Sequence, residues 1–395
     1  MTRFSPPEHV RSVLTRLESG GYPAYLVGGC VRDTLLGRAV HDWDIATGAR
    51  AAEISALFDK TVMTGARYGT VTVVLHGGSV EVTTFRADGD YNDSRHPESV
   101  RFVDSVHDDL GRRDFTVNAI AVTLSGGIID PFGGRADIES RTIRCVGDPE
   151  VRFREDALRM FRALRFSAQL GFTIEPFTHA AITQCAALAG NLSAERVSSE
   201  VEKTLLSPRP EIAGDILAAG LLREYVEPSA LRSDDFAAIA GLPIEKDIRW
   251  AAFCAVLIHA GVIKSTAAFL YGMRMDAKTV KSCDAGTALA NNLAHTHTEL
   301  KHTIAQHGLP AARCAAAADF ALRGGIVLDI ICGIINSGEC CSLFDLAVSG
   351  RDLIAAGHLS GKTLGDTLDA LLAHVIEHPG DNNRETLLAL AANYI

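Results

Sequence analysis

Two aspartates, Asp42 and Asp44, lie two residues apart in the segment DWDIAT. Its alternating pattern reads as a strand over 42–47, and an i, i+2 pair on a strand projects from one face. Two carboxylates side by side repel unless a cation sits between them. Oxygen ligands used together with substrate phosphates suit magnesium. Two such ions can activate an attacking hydroxyl and stabilise a leaving pyrophosphate. The plainer reading is a solvated strand edge with alternating acids, so the flanking residues matter. Gly28 and Gly29 follow the short apolar segment YLV and precede a helical segment, CVRDTLLG, that Gly37 stops. Glycines at such a junction let backbone N–H groups approach phosphates. Arg32, one turn into that helix, is placed to pair with a triphosphate. A strand, a glycine pair, a helix with arginine and then a strand with two acids form a specific combination for phosphate chemistry.

The stretch LVGGCVRDTLLGRAVHDWDIAT resembles the signature of the class II tRNA nucleotidyltransferases and bacterial poly(A) polymerases, members of the polymerase-β superfamily. The likeness continues in order through GRRDFTVNAIA (111–121), EDALRMFRALRF (155–166) and ERVSSE (195–200). The segment from Leu343 to Pro379 is similar to the tail of the shorter bacterial CCA-adding enzymes, those without an HD domain. The resemblance implies template-independent addition of CCA to the 3′ end of tRNA from CTP and ATP, with release of pyrophosphate. It implies Asp42 and Asp44 as the catalytic carboxylates and as the ligands of magnesium. It places Gly28, Gly29, Arg32, Arg113, Asp114, Asn118, Asp156, Arg159, Arg162 and Arg165 around the nucleotide. The acceptor stem and elbow of tRNA would be the macromolecular partner, and the chain a monomer or a homodimer.

Base chemistry gives an independent reason for one of these pairs. Cytosine and adenine both offer an amino donor beside a ring-nitrogen acceptor, whereas guanine and uracil offer a carbonyl and a ring N–H. One acceptor beside one donor therefore accepts C and A and rejects G and U. Ionised Asp only accepts and Arg only donates. Asp156 and Arg159 stand at i and i+3 on a helix predicted over 149–170, a spacing that shares one face. They resemble the family's base-reading pair; the alternative is a surface salt bridge. Arg162 and Arg165 continue at three-residue steps of about 300° each, which carries Arg165 nearly opposite Asp156. Asp114 and Asn118, at i and i+4, could bind ribose hydroxyls, or Asp114 could cap a helix over FTVNAIAV. Glu195 and Arg196 are expected to brace the base-reading helix. Glu81 is a candidate third acid for the metal, or an ordinary cross-strand charge.

The elements that must position these groups read as an α+β protein. A helix over 7–19, the strand at YLVGG (25–29), the strand over 42–47 and a hairpin of 70–75 and 80–85 around HGGS make an α/β head with an antiparallel or mixed sheet. The polar segment 86–99 reads as a loop. Its hinge near Gly89 and its charged residues Asp88, Asp90, Asp93 and Arg95 suit a lever that re-aims the pocket between C and A addition. After Asp148-Pro149 the pattern turns helical, over 149–170, 175–188, 193–206 and 209–219, and stays helical to the end. The expected division is a catalytic head (1–147), a neck (148–210), a body (211–330) and a tail (331–395).

Composition narrows the alternatives. The chain has 395 residues, 47% hydrophobic and 22% charged, with a net charge of −10. Five arginines between Arg152 and Arg165 form a cationic strip on an acidic protein, which suits one focused anionic ligand. No apolar run approaches the ~20 residues of a membrane span, and the N-terminal segment has no signal core; a cytoplasmic location is expected. The nine cysteines include no CxxC pair, so they read as reduced thiols and not as a zinc site. SGKT (360–363) lacks the spacing and the strand of a P-loop. His41-Asp42 and His107-Asp108 lack the further histidines of an HD site. His295, His297, His302 and His307 read as solvated helix faces. Against a poly(A) polymerase stand the negative charge and the tail; against a CC-only enzyme, the intact segment FRADGDYNDSRHP. A-only addition stays open. A nucleotide- or RNA-binding regulator would be free to lose Asp42 and Asp44.

Overall fold

The computed structural model describes residues 4–65, 68–88, 100–357 and 360–392. The segment 89–99, with Gly89, Asp90, Asp93 and Arg95, lies outside the described residues. The chain forms two compact units, Met1–Glu200 with Ala219–Leu221, and Val201–Ala218 with Leu222–Ile395.

The first unit is built on a mixed sheet. Helix α1 (Glu8–Ser19) buries Val10, Val13, Leu14 and Leu17, one stripe at helical spacing. The chain then runs through β1 (Ala24–Val27), α2 (Gly29–Leu35), β2 (Asp44–Thr47), α3 (Ala51–Leu57), β3 (Thr61–Gly65), β4 (Thr70–Leu75) and β5 (Gly78–Thr84). A two-stranded ribbon of β6 (Arg86–Asp88) and β7 (Val100–Phe102) follows, then α4 (Val106–Gly111), β8 (Ala121–Val122), β9 (Ile128–Ile129) and α5 (Gly134–Glu139). The seven strands of the main sheet lie in the order β3-β4-β5-β2-β1-β8-β9. Only β2 and β5 run parallel; the other neighbours are antiparallel. Val27, Ala46, Phe85, Leu110, Ala119 and Ala121 belong to the core beneath this sheet.

The register places Asp44 on β2 between Val27 of β1 and Glu81 of β5. The strand expected over 42–47 therefore begins at Asp44, and Asp42 stands in the segment before it. On the β1 side the ladder stops there because β1 ends at Val27 and the chain turns at Gly28; β5 continues back to Gly78, but residues 42 and 43 do not pair with it.

The helix predicted over 149–170 is two helices. Asp148 caps α6 (Pro149–Glu155) by accepting from the N–H groups of Glu150 and Val151. Asp156 then adopts an extended backbone, φ −142° and ψ 103°. Its Oδ1 accepts from the Leu158 N–H at 3.0 Å, at the start of α7 (Leu158–Leu170). A short acidic side chain competes for backbone N–H groups and so favours helix starts over helix interiors. The one-helix geometry is corrected for Asp156, which stands outside the helix that carries Arg159, Arg162 and Arg165. The unit also holds a parallel pair that no periodicity announced, β10 (Thr142–Ile143) beside β11 (Thr173–Ile174), then α8 (Pro176–Cys185) and the part of α9 (Ala194–Leu205) up to Glu200. Two-residue strands are too short to show a period.

Among the described residues no strand follows β11. The second unit carries α10 (Ala213–Ala218), α11 (Lys246–His259), α12 (Thr266–Gly272), α13 (Ala277–Leu289), α14 (His297–His307), α15 (Leu309–Arg323), α16 (Val327–Asn336), α17 (Gly350–Ala355), α18 (Lys362–Glu377) and α19 (Arg384–Ala391). Trp250 and Phe253 of α11 are fully buried in it. A Cβ on Gly286 would stand 2.4 Å from that of Cys314, so the glycine permits the close approach of α13 and α15. Seven of the nine cysteines are buried, and all nine are free thiols. His297 and His302 pair with different acids, Glu339 and Glu377. No helix of the described residues is long and apolar enough to cross a membrane.

Lys301 is 1% exposed, with Nζ 3.2 Å from Glu339 and 3.3 Å from the Ile376 carbonyl at the end of α18. Hydrogen bonds to a charged group contribute about 1.5–3 kcal/mol each. Glu339 keeps some solvent, which lowers the sum. Lys301→Met is therefore expected to destabilise the helical unit by about 3 kcal/mol, read as a fall in its urea midpoint. An unchanged midpoint would show that the amine is not a keystone of this unit.

Candidate active site

A cavity of about 620 Å³ opens in the first unit. All twelve residues singled out in the sequence line it: Gly28, Gly29, Arg32, Asp42, Asp44, Arg113, Asp114, Asn118, Asp156, Arg159, Arg162 and Arg165. Glu81 is not among its lining residues, although it pairs with Asp44 across the sheet.

The carboxylate edge is set by β2. Asp42 is exposed and Asp44 half-buried. Burial raises the Asp44 carboxyl above its ordinary range, and the charges of Glu81 and Asp42 add to that against the opposing Arg113. A cation between acids of this kind would relieve both the repulsion and the desolvation. This donor set of carboxylate oxygens fits magnesium.

Gly28 sits where β1 turns into α2, with φ +76°, a left-handed backbone that side chains rarely adopt. A Cβ there would also stand 3.0 Å from Nη1 of Arg113 and 3.8 Å from Oδ2 of Asp44. The backbone conformation and the close approach of Arg113 thus favour glycine at this turn, whereas Asp44 would tolerate a Cβ.

A chain of hydrogen bonds crosses the floor of the cavity. Arg32 Nη1 donates to Asn118 Oδ1 at 2.7 Å, and Asn118 Nδ2 donates to Asp114 Oδ1 at 3.1 Å. Asp114 Oδ2 accepts from Arg162 Nε at 2.8 Å and Nη2 at 2.6 Å. Burial alone would raise the Asp114 carboxyl; the Arg162 charge and the Asn118 bond outweigh it and hold the group well below the usual carboxylate range. The capping alternative for Asp114 does not hold. FTVNAIAV forms a 3-10 turn over Thr116–Asn118 and then β8, and the turn's own N-cap is Phe115.

Around α7 the partners differ from the expected ones. Asp156 accepts from Arg196 Nη2 at 2.9 and 3.2 Å, so Arg196 braces this position. Glu195 is exposed, and its backbone carbonyl accepts from Ser198. Arg159 is buried and donates to Glu155 at 2.7 Å and to the carbonyls of Arg152 and Arg112. The i, i+3 salt bridge between Asp156 and Arg159 is thus not formed. Arg165 does not point away, as a continuous helix required: it lines the cavity, pairs with Glu200 at 2.5 Å and donates to Gln169 at 2.7 Å.

Several contributors escaped the sequence reading. The Phe166 ring is packed by three guanidinium groups, with Arg32, Arg162 and Arg165 at 5.1, 5.2 and 4.0 Å from its centroid. Such contacts are attractive and restrain flexible arginines. Asp109, fully buried, accepts from Arg112 and Arg113. Its i, i+3 and i, i+4 spacing to them was a usable signal, as was Glu155 to Arg159. Glu200, 35 residues from Arg165, offered no local signal.

A mixed sheet with paired carboxylates at one strand start, a glycine turn beside them and an arginine-lined cavity defines a nucleotidyltransferase. The poly A polymerase head domain family matches residues 24–144. The family described as "Probable RNA and SrmB- binding site of polymerase A" matches 171–230, and the second tRNA nucleotidyltransferase domain matches 245–391. The CCA-adding enzyme of Geobacillus kaustophilus (strain HTA426) is 39% identical over 401 residues, covering 98% of this chain and 97% of the relative. That of Limosilactobacillus fermentum (strain NBRC 3956 / LMG 18251) is 38% identical over 392 residues, again 98% and 97%. The crystal structure of the Bacillus stearothermophilus CCA-adding enzyme in complex with CTP superposes with a TM-score of 0.81 at 35% identity, covering 99% of this chain and 98% of that one. The chain belongs to the CCA-adding enzymes, the class II tRNA nucleotidyltransferases.

Proposed function

We propose that this protein adds CCA to the 3′ end of tRNA, taking C from CTP and A from ATP. The observation that carries the reading is the single cavity in which Asp42 and Asp44, the Gly28 turn, the arginine array and the Asp156–Arg159 region meet. Its CTP-bound relative and the tRNA nucleotidyltransferase domain matched over 245–391 support it.

In this reading the tRNA 3′-hydroxyl attacks the α-phosphorus of the nucleotide in line, and pyrophosphate leaves. Asp42 and Asp44 would hold magnesium, which supplies Lewis-acid activation of the hydroxyl and neutralises charge on the leaving group. Arg32, Arg113, Arg162 and Arg165 bind and orient the triphosphate, so that most of the rate comes from positioning and electrostatics. Asp114 and Asn118 face the ribose. Asp156 and Arg159 read the base edge, held from behind by Arg196 and Glu155. The helical second unit would grip acceptor stem and elbow by shape and backbone. The segment 86–99 would re-aim the pocket between the C and A steps. The protein would work in the cytoplasm.

The test is incubation of purified protein with tRNA ending at position 73, C74 or C75 and each labelled nucleotide. Incorporation of C on the first two and of A on the third is expected. Incorporation of A alone would make it an A-adding enzyme, and long A tails a poly(A) polymerase. Base reading has its own check. Asp156→Ala or Arg159→Ala should relax selection toward UTP and GTP by about 1–3 kcal/mol, roughly 5–150-fold. If both variants remain strictly C- and A-specific, the base is read elsewhere.

A further inference from the structure

Asp109 does not line the cavity. It lies on α4 with no solvent exposure, and four donors converge on its carboxylate. Oδ1 accepts from Arg112 Nε at 3.0 Å, from Arg112 Nη2 at 2.9 Å and from the Arg86 N–H at 3.4 Å, and Oδ2 accepts from Arg113 Nη2 at 3.1 Å. Among the described residues, it is the one side chain that hydrogen-bonds the Arg113 guanidinium. Nη1 of Arg113 abuts the Gly28 turn, and Nε is buried without a partner. A buried donor left unpaired is unfavourable unless an acceptor arrives, and the phosphates of a bound nucleotide carry such acceptors.

We propose that Asp109 is a positioning residue for nucleotide transfer: it holds Arg113 against the Gly28 turn, beside Asp44, with Nε and Nη1 left free for a phosphate oxygen. This rests on the reading of the cavity as a nucleoside triphosphate site. The reason is geometric. An arginine side chain has several rotatable bonds, and without an anchor its charge is spread over many positions. A charge-assisted bond from behind confines it to one. The same carboxylate holds Arg112, whose backbone carbonyl accepts from Arg159 at 3.1 Å, so the anchor also abuts the base-reading side. It further touches the N–H at the start of β6, which ties the ribbon to the same point.

The experiment is a double-mutant cycle on the full chain with tRNA ending in C74 and CTP: wild type, Asp109→Asn, Arg113→Ala and the pair. Asp109→Asn is expected to raise the KM for CTP by about tenfold, with the KM for tRNA within about twofold of wild type. In the Arg113→Ala background it should add less than about twofold, because groups acting through one another are not additive. Equal losses in both backgrounds, or a lowered melting temperature with unchanged KM for CTP, would overturn the proposal. Asp109→Glu keeps the charge and moves it by one methylene, which covers the case in which the amide does not fold. It should also raise the KM for CTP, and a wild-type value there overturns the proposal equally. A wild-type chain that incorporates no nucleotide would remove the functional reading and this inference together. An active wild type with additive losses would remove the inference alone.

Discussion

Asp44→Asn, and separately Asp42→Asn, should lower incorporation of both C and A by about 10³-fold or more without unfolding the protein. Metal-held charge at a reacting phosphate is worth several kcal/mol, and each 1.36 kcal/mol is about tenfold in rate. An amide in place of either carboxylate keeps the shape and halves the anionic charge of the pair. Stability should move the other way. Burial, with the neighbouring Glu81 and Asp42, raises the Asp44 carboxyl despite Arg113. Its ionised form is therefore disfavoured by folding, and at neutral pH Asp44→Asn should be at least as stable as wild type in the absence of magnesium. The measurements are single-nucleotide extension with labelled CTP and ATP, and urea unfolding with and without magnesium. Magnesium should stabilise the wild type more than either variant. A variant that keeps its rate within about tenfold would take that carboxylate out of the chemistry.

Asp114→Asn should disturb the cavity floor from the inside. One carboxylate oxygen faces two nitrogens of Arg162, and an amide must either present its own donors there or turn them toward Asn118 and the Phe115 N–H. Removing one partner of a buried ion pair costs about 3–5 kcal/mol. Arg162 keeps a third of its side-chain exposure, so solvent screens part of the loss and the lower end applies. The pH dependence follows from the depressed Asp114 carboxyl. Its stabilisation is fully present above the unfolded value of about 3.9, and is lost as pH falls through the lower folded value. Asp109, lowered by Arg112 and Arg113 against the effect of burial, acts in the same direction. Wild-type stability should therefore decline on acidification below about pH 4, and Asp114→Asn should decline less steeply. Urea unfolding between pH 3 and pH 7 reads both slopes. Identical slopes would mean that the Asp114 charge contributes nothing to the fold.

Much of the site was legible because its parts are local. A glycine pair between a strand and a helix is a pattern a few residues long that the backbone alone places, and two acids at i, i+2 stay neighbours in the chain even with Asp42 outside the strand. The head sheet was legible for the same reason, through the β4–β5 hairpin with Gly77 at φ +105°. The start of β2 lies two residues later than the alternation predicts, because strand ends are set by pairing: β1 stops at Val27, and the pairing with β5 begins at Asp44.

The sequence by itself determined which residue types could bind a metal, phosphates and a base, and it determined the order of sheet and helices that carries them. Only the tertiary structure decided how those residues face one another. Asp156 stands between two helices and its carboxylate bonds the Leu158 N–H of the second, so Asp156 and Arg165 line one cavity that a continuous helix would have divided between two faces. Glu200 holds Arg165 from 35 residues away, and Asp114 holds Arg162 from 48. Periodicity reports only which face of an element is buried. The partner of a buried charge is chosen by whatever else packs against that face, and low local dielectric makes that choice binding.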